Sequence, residues 1–138
     1  MNISDFNSNL APESLGAYPH SKKLNNLLFL SGIGPRKRNS STIPGVTLDK
    51  EGNIISYDIE EQCYSVFNNV RNVLEASGSR LENLLDVTVF LTDIKKDFPV
   101  YNRIYNEYFQ EAYPCRTTIG VNGLPTPIAI ELKCIAFV

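Results

Sequence analysis

The stretch 58–91, DIEEQCYSVFNNVRNVLEASGSRLENLLDVTVFL, reads as a helix followed by a strand, and the rest of the fold is built outward from it. Ile59, Cys63, Val66, Phe67, Val70, Val73 and Leu74 recur at the three- and four-residue spacing that lines one face of a helix. Asp58 stands where a carboxylate accepts from the free amides of the first turn, and Glu61 three residues on completes a capping box. Gly78 supplies a left-handed stop. Residues 87–91, Val-Thr-Val-Phe-Leu, are β-branched and apolar, which predicts a strand covered on both faces.

Downstream, Asp97 is expected to cap a second helix, with Pro99 in its first turn and Phe98, Tyr101, Tyr105, Tyr108 and Phe109 as its apolar stripe. Strands are expected at 117–121 and 128–137, joined by a turn at 123–127. Upstream, 27–30 is a short strand that stops at Ser31-Gly32-Ile33-Gly34-Pro35 and is followed by a basic loop at Arg36, Lys37 and Arg38. Residues 1–12 read as a polar, poorly packed lead-in. Strands alternating with two helices predict one domain over 1–138, a two-layer α/β sandwich with both helices on one face of the sheet.

The last strand is two-faced. Ile128, Ile130, Leu132, Cys134 and Ala136 point one way and suit the helices, while Ala129, Glu131, Lys133, Ile135 and Phe137 point the other. Something must cover that second, partly apolar face, and another copy of the chain is the economical cover.

The 138 residues are 43% hydrophobic and 20% charged, with a net charge of -2, which argues against a general nucleic-acid or membrane-surface binder. Three cysteines without a CxxC pair give no disulfide framework and no zinc site; reduced thiols in a reducing compartment are the expectation. No run approaches the length of a membrane span, and the polar N-terminus is unlike a signal peptide, so a cytoplasmic location is expected.

Phosphate-cradling glycine motifs are absent, and His20 is the only histidine, so one chain supplies no histidine metal cluster. What remains is Arg116 at the start of one strand and Glu131 in the next. If those strands pair antiparallel, Arg116, Thr118 and Gly120 share a face with Glu131 and Lys133. An arginine there matches a carboxylate by a two-pronged hydrogen bond, and a nearby carboxylate orients water or shuttles a proton. That pairing suits hydrolysis of a small carboxylate bearing a C=N bond; a structural Arg116–Glu131 ion pair at a subunit interface is the alternative.

Ser31-Gly32, the capped helix from Ile59, Val87-Thr88-Val89-Phe90-Leu91, Tyr101-Asn102, Arg116-Thr117-Thr118, Leu124-Pro125 and Ile130-Glu131 occur in an order that resembles the RidA (YjgF) family. The likeness runs from about Tyr18 to the C-terminus. Within the family it looks closest to 2-aminomuconate deaminases, on Tyr18-Pro19-His20, the Arg36 loop, Asp58-Ile59 with Gln62, Asn69-Val70-Arg71, Asp97-Phe98, Pro125 with Pro127, and Glu131-Leu132-Lys133. The resemblance implies a chorismate-mutase-like α+β fold with a mixed sheet, a homotrimer with clefts between subunits, no cofactor, and release of ammonia from an enamine or imine carboxylate. It implies that Arg116 holds the substrate carboxylate, Glu131 positions water, and Tyr18 and the backbone of Gly32 line the same cleft.

Thr118 stands where many members carry cysteine, so a thiol role is lost. Arg36 is a candidate for a second substrate carboxylate, or part of a solvated turn. His20 is a candidate substrate contact, or a turn cap, and Lys133 suits an interface ion pair. Three functions stay open: a 2-aminomuconate deaminase, a general 2-iminobutanoate/2-iminopropanoate deaminase, and a ligand-binding trimer without turnover. Ribonuclease activity, attached to relatives, ranks last for so acidic a chain with one histidine.

Overall fold

The computed structural model describes residues 1–138. The elements are β1 (Ile3–Phe6), β2 (Ser21–Leu24), β3 (Leu27–Leu30), β4 (Val46–Leu48), β5 (Ile54–Tyr57), α1 (Ile59–Ala76), β6 (Leu84–Leu91), α2 (Ile94–Phe109), β7 (Cys115–Gly120) and β8 (Ile130–Phe137). Six strands form one mixed sheet in the order β1-β2-β3-β8-β6-β7, in which only β6 and β7 pair in parallel; β4 and β5 make a separate hairpin. The two-layer arrangement expected from the sequence is the one observed. No helix is long and apolar enough to cross a membrane.

Helix α1 begins and ends where its local chemistry requires. Asp58 accepts from the amides of Glu60 and Glu61, and Gly78 takes a φ of +79°. The Ser79 amide donates to the Leu74 carbonyl at 2.8 Å and the Gly78 amide to Glu75 at 3.2 Å, a Schellman closure. The apolar stripe of α1 is buried, and Phe67 packs edge-on against Tyr105 and Phe109 of α2 at ring distances of 6.2 and 5.0 Å. Gln62 and Asn69 are buried in the same face without being apolar. Gln62 bonds the Pro44 carbonyl and the Ala129 amide, and Asn69 bonds the Gly34 and Arg36 carbonyls. These carboxamides satisfy loop backbone that would otherwise be buried unpaired, and so tie the loop after β3 to the helix.

Expectations for the second helix, for the lead-in and for the strands are corrected. Helix α2 is capped by Asp93, which accepts from Lys96, and not by Asp97. Asp97 lies a turn inside, buried, accepting from the Tyr57 hydroxyl at 2.6 Å, and Pro99 falls in the second turn on the exposed side. The lead-in is also more ordered than its polarity suggests: 3–6 form edge strand β1, and Ser8 and Ala11 are buried.

The third correction concerns the last two strands. They do not pair with each other; β7 and β8 take opposite edges of β6. The linker crosses the end of β6, where the Val121 amide bonds Leu91 and the Thr92 amide bonds Ala129. Strand β6, expected to be covered on both faces, is covered by this chain on one only: Val87, Val89 and Leu91 are fully buried under the helices, while Thr88 and Phe90 are half-buried on the other side, where no helix packs.

Candidate active site

The pairing of β3 with β8 breaks step at Ser31-Gly32. Phe29 pairs with Ile135 and Ile33 bridges Leu132, so Leu30, Ser31 and Gly32 face only Lys133 and Cys134. Such a bulge frees backbone groups and lets a neighbouring chain come close. Lys133 Nζ donates to the freed Leu30 carbonyl. Gly32 lies against Glu131, and a Cβ there would sit 2.9 Å from Glu131 Oε2, so any larger residue would push that carboxylate from its place. Glu131 makes no ion pair within the chain. Burial holds its carboxyl above the usual carboxylate range.

Next to the bulge, Tyr18, His20, Gly32 and Arg36 line one narrow cleft with Glu13 and Ser31. Four of the residues singled out in the sequence are thus gathered at one place. The Tyr18 hydroxyl accepts from the Leu15 amide. His20 is buried with both ring nitrogens engaged: Nδ1 accepts from the Ser8 amide at 2.9 Å, and Nε2 donates to the Pro12 carbonyl at 2.6 Å. This network assigns the proton to Nε2 and makes His20 a tie for the N-terminal segment as well as a wall of the cleft. The basic loop is divided. Arg36 faces the cleft and donates to the Glu13 carbonyl, whereas Lys37 and Arg38 line a groove on the outer side of α1. Arg38 takes the Glu13 carboxylate at 3.5 Å.

Arg116 lies elsewhere, at the edge of the helix layer. Its Nη1 donates to Asn102 Oδ1 at 2.8 Å, its guanidinium rests over the rings of α2, and it has no ion-pair partner in the chain. The register explains its distance from Glu131. Arg116 pairs with Val87, which pairs with Cys134, so all three point to the helix side; Ile119, Phe90 and Glu131 form the parallel row on the open side. Thr118 follows Arg116 and bonds the Tyr101 hydroxyl at 2.8 Å. The shared face expected from an antiparallel pairing is therefore overturned, because inserting β6 between the strands puts Arg116 and Glu131 on opposite faces.

A family model described as Endoribonuclease L-PSP matches residues 8–138. The chain belongs to that family. This is the RidA/YjgF family of the sequence resemblance. A RutC family protein of Pyrococcus abyssi is 35% identical over 128 residues, which cover 92% of this chain and 91% of that protein. The 2-iminobutanoate/2-iminopropanoate deaminase of Dermatophagoides farinae is 30% identical over 130 residues, covering 94% and 91%. The crystal structure of E. coli TdcF with bound serine is similar at a TM-score of 0.83 and 27% identity, covering 98% of each chain.

In this member of the L-PSP family the sequence reading missed Asn102 as a partner of Arg116. Its signal was its place in α2, one turn after Phe98 and three residues before Tyr105, on the helix edge nearest β7. The aromatic residues around it read as core alone.

Proposed function

We propose that the chain is a cofactor-free hydrolytic deaminase of small enamine and imine carboxylates, working in clefts between copies of a homotrimer. One observation carries this reading: two half-buried charges, Arg116 and Glu131, stand without ion-pair partners on opposite faces of one sheet. A site that uses both takes them from two copies. The open face supports an assembly, since Leu27, Phe29, Ile119 and Phe137 are 37–43% exposed there, an apolar patch of the kind that marks interfaces. The number three rests on the family resemblance. The name of the mite relative and the serine in the E. coli structure support a ligand carrying nitrogen next to a carboxylate.

In this reading Arg116 takes the carboxylate through a two-pronged hydrogen bond. An enamine gains a proton at carbon to become the iminium. Glu131 of another copy holds the water and accepts its proton as oxygen bonds to the iminium carbon. That proton then passes to the amine nitrogen of the carbinolamine, Glu131 takes the remaining hydroxyl proton as the C–N bond breaks, and ammonia leaves a 2-oxo acid. Tyr18 and Gly32 wall the cleft on the Glu131 side.

The finer assignment is 2-aminomuconate. Arg38 occupies the Glu13 carboxylate, so the Arg36 guanidinium faces the cleft with no ion pair of its own and suits a second substrate carboxylate. The test is ammonia release from freshly generated 2-aminomuconate and from 2-aminoacrylate, for the wild type, Arg116→Ala and Arg36→Ala. The assignment expects turnover of the first substrate to fall in both variants. A general imine deaminase would prefer the second and be indifferent to Arg36. Silence on both substrates, with saturable 2-oxo acid binding at Arg116, would make the chain a binding protein.

A further inference from the structure

One stripe of α2 converges on a single cation. The Arg116 guanidinium carbon lies 4.6 Å from the ring centroid of Tyr105, 5.4 Å from that of Tyr101 and 5.9 Å from that of Phe98. These distances fall within the range at which a ring face attracts a cation. Residues 98, 101, 102 and 105 stand at helical spacings i, i+3, i+4 and i+7, so two turns of one helix supply the rings and Asn102 together. None of the four is charged. A carboxylate is the ordinary partner of a half-buried arginine, and its two oxygens would fill the guanidinium fork. The rings do otherwise: they hold the cation without neutralising it.

Tyr105 supplies the second observation. It is the closest ring to the cation and is buried, yet its hydroxyl has no hydrogen-bond partner. Buried hydroxyls are nearly always paired, because an unpaired one costs free energy. What Tyr105 offers this place is therefore its ring.

Building on the reading of Arg116 as the substrate anchor, we infer that Phe98, Tyr101 and Tyr105 form a neutral platform that positions Arg116 and sets the affinity of the site for a carboxylate. The platform fixes the guanidinium plane before the ligand arrives, which spares ordering cost on binding. It also withholds the internal counter-charge that would compete with the ligand. Tyr105 is a positioning residue acting through Arg116. The carboxylate keeps its charge throughout the reaction and is gripped alike in ground and transition states, so loosening the platform raises KM and leaves kcat unchanged.

The test follows the Arg116 Nε–H signal by NMR, assigned by its loss in Arg116→Lys, while pyruvate is titrated into the assembled protein. Protons stacked on ring faces are shifted upfield. The signal should be shifted in the wild type and in Tyr105→Phe, with pyruvate affinity equal within about twofold, since the ring is kept. Tyr105→Leu should move the signal toward that of free arginine and weaken pyruvate binding about tenfold. Phe98→Ala, at the exposed edge of the platform, should do the same to a smaller extent, and it carries the test if Tyr105→Leu does not fold. Asn102→Asp keeps the size of the side chain but adds the missing charge; it should leave the signal shifted and abolish pyruvate binding. Unchanged pyruvate affinity in both ring variants, or binding retained in Asn102→Asp, would overturn the proposal. A shifted Arg116 signal in a wild type that binds no pyruvate would overturn the substrate reading of Arg116, and with it the role of the platform in affinity.

Discussion

The two faces of the main sheet are made from the same alternating strands and end in opposite states. On the helix side Leu28, Leu30, Val89, Leu91, Ile130 and Leu132 are fully buried, closed by helices that the same chain provides. On the other side Leu27, Phe29, Ile119 and Phe137 stay partly in solvent beside Glu131 and Lys133. The helix side is finished by the chain's own helices, so its apolar residues serve stability. The open side is not closed by this chain, and in the proposed reading another copy covers it and Glu131 serves the chemistry. Arg116 belongs to the first face and Glu131 to the second, so under the proposed function neither face alone makes the site.

The largest expected effects separate the faces by what each residue supports. Removing Glu131's carboxylate in Glu131→Gln should lower kcat by on the order of 100- to 10,000-fold, the range for general acid–base groups, with the fold intact by circular dichroism. Phe67→Ala, on the helix side, should cost about 3–5 kcal/mol in urea unfolding. Phe137→Ala, on the open side, should instead weaken self-association in sedimentation and change the unfolding of the separated chain much less. Equal effects of the two phenylalanine variants on chain stability would erase the contrast between the faces.

A smaller effect sharpens it. The Glu131 carboxyl is raised by burial, so the folded chain holds this proton more tightly than the unfolded one. The corresponding stability is complete below the unfolded value and is lost as pH rises through the folded value. Glu131→Gln should therefore gain in Tm over the wild type as pH rises from about 4 toward neutrality, since an unperturbed glutamate titrates near 4.3. A constant difference across that window would mean that the carboxylate is stabilised by partners. The smallest effect belongs to Tyr105→Phe, which removes an unpartnered buried hydroxyl and should shift stability by less than about 1 kcal/mol, in the favourable direction.

The parts of this fold that are legible in the sequence are those set by nearby residues. Asp58 and Gly78 delimit α1 because capping acts within a turn, and the alternation of 128–137 sorts β8 into its two faces because strand geometry is local. Asp93 and Asp97 are both carboxylates near Pro99, and only tertiary contact with Tyr57 shows that Asp97 is committed elsewhere. The partner of β7 was beyond local signals: a linker of nine residues permits a hairpin, and the competing edge of β6 is set by packing. Tyr18, Gly32, Glu131 and Arg116 were each recognisable as candidates by resemblance. Their distribution over two faces was not, since a shift of one strand position decides it. The same holds for Asn102 and Tyr105, whose spacing is visible but whose cation is not.

The most direct test of a site shared between copies mixes two inactive proteins. Arg116→Ala and Glu131→Gln, each inactive alone, are unfolded together and refolded so that copies exchange, and ammonia release is compared with that of wild type treated alike. If each site takes Arg116 from one copy and Glu131 from another, random assembly restores about a quarter of the sites, and activity returns to about that fraction. A mixture as inactive as either parent, with exchange verified by mass spectrometry, would place both residues in one copy's site and contradict the account.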